Sequence, residues 1–322
     1  MRVVGSILHG AYGDYYEQAL CLKQFKAAHP EIRLRLFAAS ANRLREFSVL
    51  DFSFAESFTL WNTLTDYSID EFLQFQSGDP ELRTEVLEHL PPDQQIAVRR
   101  GGNRLPWTVL RSILPLPDTS QLSLTSLGRS RLVDVMRENG VSDSTFDRPT
   151  VGFLWRYRAP ESAIRPWRQA SAESLVRKYS RVFRSAIETF DCNVLVCGMK
   201  VETTPENRER VDAKYPRFGL DLPRDRAIHL KGLSWPLELE ILTRCGVCLV
   251  HPSGFSEALY IRRGAGIIVT DPPLHYRLKL LKHRMPLFAN NSPAGFFHMW
   301  HMHSENRLLD LLGKALRSTP SM

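Results

Sequence analysis

The sequence predicts an α/β protein of two domains, in which buried parallel strands alternate with helices. Short apolar runs recur between longer helical patterns, which is typical of parallel sheets covered on both faces. The chain has 322 residues, more than a single hydrophobic core usually supports. A polar, turn-rich stretch at 140–149 follows a helical pattern and marks a boundary. We therefore predict a first domain over 1–145 and a second over 146–322.

The first half reads as a βαβ unit. Val3–Leu8 is an apolar run, followed by a glycine-bearing turn at 9–13 and a helix over 14–29 that ends at Pro30. Strands are expected at 32–38 and 49–54. The middle of the chain, 66–139, is mostly helical in pattern.

The second half alternates in the same way. Strands are predicted at 151–156, 194–197, 227–230, 246–250 and 267–270. Helices are predicted at 172–190, 205–213 and 236–244, the last behind a Ser234 cap. A final helix at 305–316 is a candidate to cross back to the first domain.

The composition is that of an ordinary globular protein, with 43% hydrophobic and 24% charged residues. No apolar run approaches the roughly 20 residues that span a bilayer. The chain starts directly in a strand pattern without signal-peptide features, so we expect a cytoplasmic protein. The cysteine count of five is odd and indicates free thiols rather than a disulfide framework.

The net charge of +7 is partly localised in the segment 96–114, where arginines alternate with aliphatic residues and a tryptophan. Such a segment fits an anionic membrane surface, an acidic acceptor, or a solvated face beside a loop. On the first interpretation the protein is peripheral at the inner face of a membrane. No nucleic-acid partner is expected, because no recognised binding motif accompanies the charge.

The first candidate site is the polar turn between the strand patterns at 246–250 and 267–270. Strand ends that lead into helices present free N–H groups and a positive helix terminus, which suit phosphates and sugar hydroxyls. A carboxylate in the first helical turn can accept hydrogen bonds from a ribose diol. The alternative is that Ser253 or Ser256 only caps a helix and that Glu257 completes a capping box in its first turn. The candidate residues are Ser253, Gly254, Ser256 and Glu257.

The second candidate site is the opening turn between the first strand and the first helix. It contains His9, Gly10 and Gly13 and is followed by Asp14. The G-x-G-x-x-G spacing of dinucleotide-binding turns is absent. Two interpretations remain: a ligand site at the carboxyl edge of the sheet, or a tight turn in which Asp14 caps the helix.

These two turns resemble elements of known enzymes. The run SGFSEA followed by GAGIIVTDP resembles a turn in the C-terminal domain of GT-B glycosyltransferases and the related nucleotide-sugar 2-epimerases. The Gly-Asp turn, the helix ending in FKAAHP and the next strand look like the start of heptosyltransferase-type GT-B enzymes. The resemblance implies two Rossmann-like domains facing a cleft. It also implies that the small residues approach the donor phosphates, that Glu257 holds the ribose, and that Asp14 is the general base for the acceptor hydroxyl.

The cations that would bind the donor diphosphate are expected at the ends of the first two predicted strands of the second domain. Arg156 and Arg158 follow the predicted strand at 151–156, and guanidinium groups bind phosphate oxygens bidentately. They rank above Arg165, which lies in a basic-x-Trp element similar to that of the heptosyltransferases. Gly198 and Lys200, after the following strand, offer a further loop and cation. The alternative for each arginine is a pair with a surface carboxylate.

The resemblance implies an inverting, metal-independent glycosyltransferase without a cofactor, which uses a nucleotide-diphosphate sugar as donor. The acceptor would be a hydroxyl of a glycan, glycolipid or protein. Heptosyltransferases usually carry a small-Gly-Pro-x-His turn where this chain has SGFSE, so the donor sugar is not specified. The alternatives are a nucleotide-sugar epimerase or hydrolase of the same fold, and a non-catalytic GT-B-like protein that binds a nucleotide or a partner.

Two further motifs are interpreted as structural. Cys245 and Cys248 have C-x-x-C spacing, but no second pair follows, so we expect two packed thiols rather than a metal or redox site. The histidine-rich run 298–303 has Met and Trp neighbours, which indicate an interface or a core edge.

Overall fold

The structure is a computed structural model. It describes residues 2–8, 12–60, 69–72, 122–155, 172–198, 220–230, 234–250, 259, 266–270, 297–300 and 304–318. The chain divides into two compact units between Arg131 and Leu132. The predicted boundary at 145/146 lies within a short 3-10 helix, Asp143–Phe146. Each unit contains one sheet whose paired strands are all parallel.

The first unit is built around a four-stranded sheet. Its elements are β1 Val3–Leu8, α1 Tyr12–Ala28, β2 Arg33–Ala38, α2 Ala41–Phe47, β3 Ser57–Leu60, β4 Glu71–Phe72 and α3 Ser126–Glu138, which spans the division between the units. The strand order is β3-β2-β1-β4. All six residues of β1 are buried, as expected of a central strand of a covered parallel sheet.

The second unit contains a six-stranded sheet. Its elements are β5 Thr150–Trp155, α4 Ala172–Phe190, β6 Asn193–Gly198, β7 Ala227–His229, α5 Trp235–Leu242, β8 Val247–Val250, β9 Gly266–Thr270, β10 Phe297–Trp300 and α6 Glu305–Ser318. The strand order is β10-β9-β8-β5-β6-β7. Numbered from the first strand of this sheet, the order is 6-5-4-1-2-3, that of a doubly wound dinucleotide-binding fold.

The largest core cluster of the described residues in the second unit lies on one face of its sheet. Alternate residues of the central strands, such as Val151 and Phe153 of β5, are buried against α4 and α6. The final helix, which the sequence analysis considered as a crossing back to the first domain, lies in the second unit. Its residues Leu308 and Leu312 are fully buried in this core.

One predicted strand was wrong, and the strands β4 and β10 were not predicted. Residues 49–54 form no strand; Leu50 makes an isolated antiparallel bridge with Leu124, and the third strand is Ser57–Leu60. Most of the segment 66–139, predicted to be mostly helical, lies outside the described residues; its described parts include β4 and α3. The histidine-rich run contributes a strand, β10, that the sequence analysis missed. In each case long-range pairing decides the structure rather than local pattern.

Candidate functional site

The strand order of the second sheet reverses between β5 and β8. These strands are neighbours although α4, β6, β7 and α5 separate them in the chain. Their register pairs Phe153 with Leu249 and Leu154 with Val250, so both strands end at the same edge. In open parallel sheets, ligands bind outside the carboxyl ends of the strands at such a reversal. The carboxyl ends of β5 and β8 are therefore a candidate ligand site.

The predicted donor residues lie at the end of, or follow, strands of this sheet in the sequence. Gly198 is the last residue of β6 and pairs in register with Trp155, the last residue of β5. The segment that follows β5 begins with Arg156, and the segment that follows β8 contains the SGFSE turn. The other predicted donor residues lie outside the described residues, and their roles stay predictions: Arg156, Arg158, Lys200, Ser253, Gly254, Ser256 and Glu257.

The strands at the reversal are closely packed against α5. A Cβ added to Gly152 of β5 would lie 2.6 Å from Cδ2 of Leu242 and 2.7 Å from Sγ of Cys248. Real Cβ atoms are not found at such distances, so only glycine fits here without a shift of its neighbours. The close approach of α5 helps to hold β5 and β8 side by side.

The C-x-x-C thiols lie in this same packed layer. Cys245 and Cys248 are both fully buried and unoxidised. Sγ of Cys248 donates to the carbonyl of Leu242 at 3.3 Å. Burial, and next the hydrogen bond with Cys245, raise the pKa of the Cys248 thiol well above its usual value. The prediction of two packed thiols is confirmed.

The order of the first sheet also reverses, between β1 and β4. The turn that follows β1 is therefore at the edge where this sheet would bind a ligand. His9 and Gly10 lie outside the described residues. The predicted turn ends earlier than expected, because α1 begins at Tyr12 and Gly13 is its second residue.

This boundary also fixes the place of Asp14. As the third residue of α1 it lies in the first helical turn and does not occupy the capping position. Acidic residues are favoured in the first turn, where the helix dipole is positive. Asp14 thus lies in the first turn of the helix that follows β1, one of the two strands at which the order of the first sheet reverses.

A residue that the sequence analysis missed connects this helix to the sheet edge. The side chain of Tyr15 is 1% exposed. Its hydroxyl oxygen accepts a hydrogen bond of 2.8 Å from the backbone N–H of Ala39, the residue after β2. Burial raises the pKa of Tyr15 to about 12 against the smaller opposite effects of Ala39 and Arg43, so the phenol stays neutral. The sequence feature that could have identified Tyr15 is the pair of tyrosines directly after Asp14, since a buried tyrosine usually finds a hydrogen-bond partner.

A guanidinium group lies beside this tyrosine. The Cζ atom of Arg43, on α2, is 5.6 Å from the centroid of the Tyr15 ring. The helix α2 follows β2 directly and is capped by Ser40, whose Oγ accepts from the Arg43 N–H at 3.3 Å. Arg43 therefore belongs to the same edge of the first sheet as the end of β2.

The described residues were also compared with what a membrane-spanning helix and a metal site require. None of the helices in the described part of the chain is long and apolar enough to cross a membrane. Within the same residues, no group of three or more His, Cys, Asp or Glu side chains could hold a metal ion. The basic segment 96–114 lies outside the described residues.

Solved structures match the chain over nearly its whole length. A glycosyl transferase family 9 protein from Veillonella parvula DSM 2008 has a TM-score of 0.60 at 12% identity, covering 98% of this chain and 97% of that one. The E. coli ADP-heptose lps heptosyltransferase II has a TM-score of 0.51 at 11% identity, covering 98% and 99%. The E. coli heptosyltransferase WaaC with ADP has a TM-score of 0.51 at 9% identity, covering 99% and 100%.

These likenesses confirm the predicted fold. No protein-family model and no curated protein sequence matches the chain. The structural similarity extends through both sheets, and it shows a heptosyltransferase-like GT-B fold with parallel sheets in an α/β arrangement. Because a fold hosts many activities, the function is argued from the candidate site.

Proposed function

We propose that this chain, whose fold is that of the heptosyltransferase-like GT-B proteins, is a glycosyltransferase that moves a sugar from a nucleoside diphosphate sugar to a hydroxyl acceptor. One observation carries the proposal. The second sheet reverses its order between β5 and β8, and these two strands lead in sequence into an arginine-rich segment and into the SGFSE turn. Both segments start from the edge at which doubly wound sheets bind nucleotides.

The roles of the donor residues follow from their chemistry. Arg156 and Arg158 neutralise the diphosphate, whose charge grows as the sugar departs, through bidentate hydrogen bonds. Ser253, Gly254 and Ser256 bind phosphate through hydroxyl and backbone N–H groups, and Glu257 accepts from the ribose hydroxyls. Gly198 and Lys200 complete this set. Arginines that carry the leaving-group charge make a metal ion unnecessary, so we propose metal-independent transfer.

The acceptor is activated at the first sheet. Asp14 removes the proton of the attacking hydroxyl, which is a general-base role for a carboxylate. A single attack of that oxygen on the anomeric carbon, from the face opposite the diphosphate, inverts the configuration. His9, Gly10 and Gly13 shape the neighbouring turn. The bond between the anomeric carbon and the diphosphate oxygen breaks as the new glycosidic bond forms, and the nucleoside diphosphate leaves with that oxygen.

The partners are proposed from the same reasoning. The acceptor is a glycan, glycolipid or protein hydroxyl, and the basic segment 96–114 brings a cytoplasmic protein to the inner face of an anionic membrane. The similar E. coli proteins are an ADP-heptose enzyme and an enzyme with ADP. ADP is therefore the first nucleotide to test, although the SGFSE turn leaves the donor sugar open.

The test separates binding from turnover. Donor consumption is assayed with ADP-, UDP- and GDP-sugars, and donor binding is measured by titration calorimetry. Asp14→Asn should abolish most of the turnover and keep donor binding, whereas Glu257→Ala should weaken donor binding. Asp134→Asn is the matched control, because Asp134 is an exposed carboxylate of α3 paired with Arg137.

The outcomes are distinct. Full turnover of Asp14→Asn would contradict the catalytic assignment. Donor binding without any turnover of the wild type would contradict the enzyme and favour a non-catalytic nucleotide-binding protein. Release of free nucleotide and sugar without an acceptor product would favour the hydrolase alternative.

A further inference from the structure

The amide of Ala39 joins three elements at the carboxyl edge of the first sheet. Its N–H lies 2.8 Å from the Tyr15 hydroxyl oxygen and 3.2 Å from the carbonyl oxygen of Leu8. Leu8 is the last residue of β1, and Ala39 follows the last residue of β2. This partly buried N–H thus connects the ends of both strands with the first turn of α1.

The tyrosine is held on its other sides as well. Its ring lies against that of Phe47 with a centroid distance of 5.2 Å, and the Arg43 guanidinium lies near its face. Both of these residues belong to α2, so Tyr15 also connects α1 with the helix that follows β2. A ring in this position has little freedom to move, and neither has the backbone that carries it.

Asp14 is the residue before Tyr15 in the same helical turn. Consecutive Cα atoms are about 3.8 Å apart and the helix backbone is rigid, so the place of Tyr15 fixes the place of the Asp14 backbone. We propose that Tyr15 is the positioning residue for Asp14 and that its bond to the Ala39 amide sets the distance from the base to the acceptor. This inference rests on the proposed function, in which Asp14 is the base.

The size of the effect follows from the demands of proton transfer. A general base must lie within about 2.6–3.2 Å of the oxygen it deprotonates. Displacements of about 1 Å at a reacting group can cost about a hundredfold in rate. Tyr15→Phe keeps the ring and removes only the hydroxyl, so we expect a loss of about tenfold in kcat. KM for the donor should stay unchanged, because the donor residues belong to the second sheet.

The test is a double-mutant cycle between Tyr15→Phe and Asp14→Asn. If Tyr15 acts through Asp14, its substitution should lower kcat in the wild type and have no further effect in the Asp14→Asn background. Tyr16→Phe is the matched control, since Tyr16 is the next residue of α1 and its side chain is equally buried. The control should keep the kcat of the wild type.

Hydrogen exchange checks the bond itself. The Ala39 amide should exchange faster in Tyr15→Phe than in the wild type and in Tyr16→Phe. An unchanged exchange rate, an unchanged kcat, or an equal loss of kcat in both backgrounds would overturn the inference. The proposed function would fail separately, through a wild type without transfer activity or an Asp14→Asn variant that remains fully active.

Discussion

Replacement of Gly152 by alanine should destabilise the protein through a steric clash at the strand reversal. The new Cβ would lie 2.6 Å from Leu242 Cδ2, 2.7 Å from Cys248 Sγ and 3.2 Å from Cys245 Sγ. The three neighbouring side chains are fully buried, each with a relative exposure of 0%. They therefore have no open space into which to move, and either α5 or the strands must shift.

The magnitude follows from two opposing effects. Overpacking of a well-packed core typically costs about 1–3 kcal/mol, and the two contacts below 3 Å favour the upper half of that range. Alanine also restricts the unfolded chain, which favours folding by about 0.4–1 kcal/mol. The free energy of unfolding should fall by about 2 kcal/mol. For a domain of 150–250 residues this corresponds to a decrease in Tm of about 4–8 °C.

The assay is urea unfolding followed by circular dichroism, with Cys248→Ala as a suppressor. Removal of Sγ takes away one of the two closest contacts of the new methyl group. Cys248→Ala should therefore cost less in the Gly152→Ala background than in the wild type, with a coupling of at least about 0.5 kcal/mol. A Gly152→Ala variant as stable as the wild type, or additive effects of the two substitutions, would refute the described packing.

Three further predictions test other parts of the structure. Gly140 has a φ of +69° and open space around it, so a side chain at this position meets backbone strain but no steric clash. In urea unfolding, Gly140→Ala should lower the free energy of unfolding by about 1 kcal/mol and Gly140→Asn by less, because asparagine tolerates positive φ better. Equal losses in the two variants would contradict the backbone assignment. Hydrogen bonds from Arg35 and Arg33 lower the pKa of Glu56, so its stabilising effect is present above the usual value of 4.5 and is lost as the pH falls through the lowered value. The stability difference between wild type and Glu56→Gln should accordingly shrink on acidification, and a difference that is the same at pH 3 and pH 7 would count against the pair. Because burial raises the pKa of Cys248, iodoacetamide at pH 8 should label this thiol only after unfolding, as followed by mass spectrometry; rapid labelling of the native protein would contradict its burial.

The local sequence pattern was sufficient to predict the elements that are strongly apolar or strongly periodic. The run Val3–Leu8 and the helix Ala172–Phe190 have the bounds that the sequence predicts. Both are long or apolar enough to be recognised without knowledge of their neighbours. The parallel arrangement of both sheets also followed from the alternation of strands and helices.

Elements that depend on distant partners could not be predicted. In the stretch 49–54 only Val49 and Leu50 are buried, near Leu124 and Gly128, and the strand forms a few residues later, at Ser57–Leu60. The two-residue strand β4 is too short to leave a pattern. β10 is a strand because it pairs with β9, which the histidine-rich sequence does not reveal.

The candidate site divides in the same way. The residue types of the two turns pointed to phosphate binding and proton transfer, and the strands that precede both turns in the sequence lie at a reversal of the strand order. The order itself depends on which strands pair, which a single sequence does not contain. The hydrogen bond between Tyr15 and Ala39 joins residues 24 positions apart and could not be predicted from the sequence either.

The most direct test of the account is whether a nucleotide binds at the SGFSE turn. Thermal unfolding would be measured with UDP, GDP, ADP, CDP and CMP at millimolar concentration, since a ligand that binds only the folded state stabilises it by about 2.7 kcal/mol at a hundred times its Kd. If the donor binds at this turn, the Tm should rise with one nucleoside diphosphate, and the rise should be kept in Asp14→Asn and lost in Glu257→Ala. The absence of a rise with any of them in the folded wild type would contradict the assignment of a donor site to this edge.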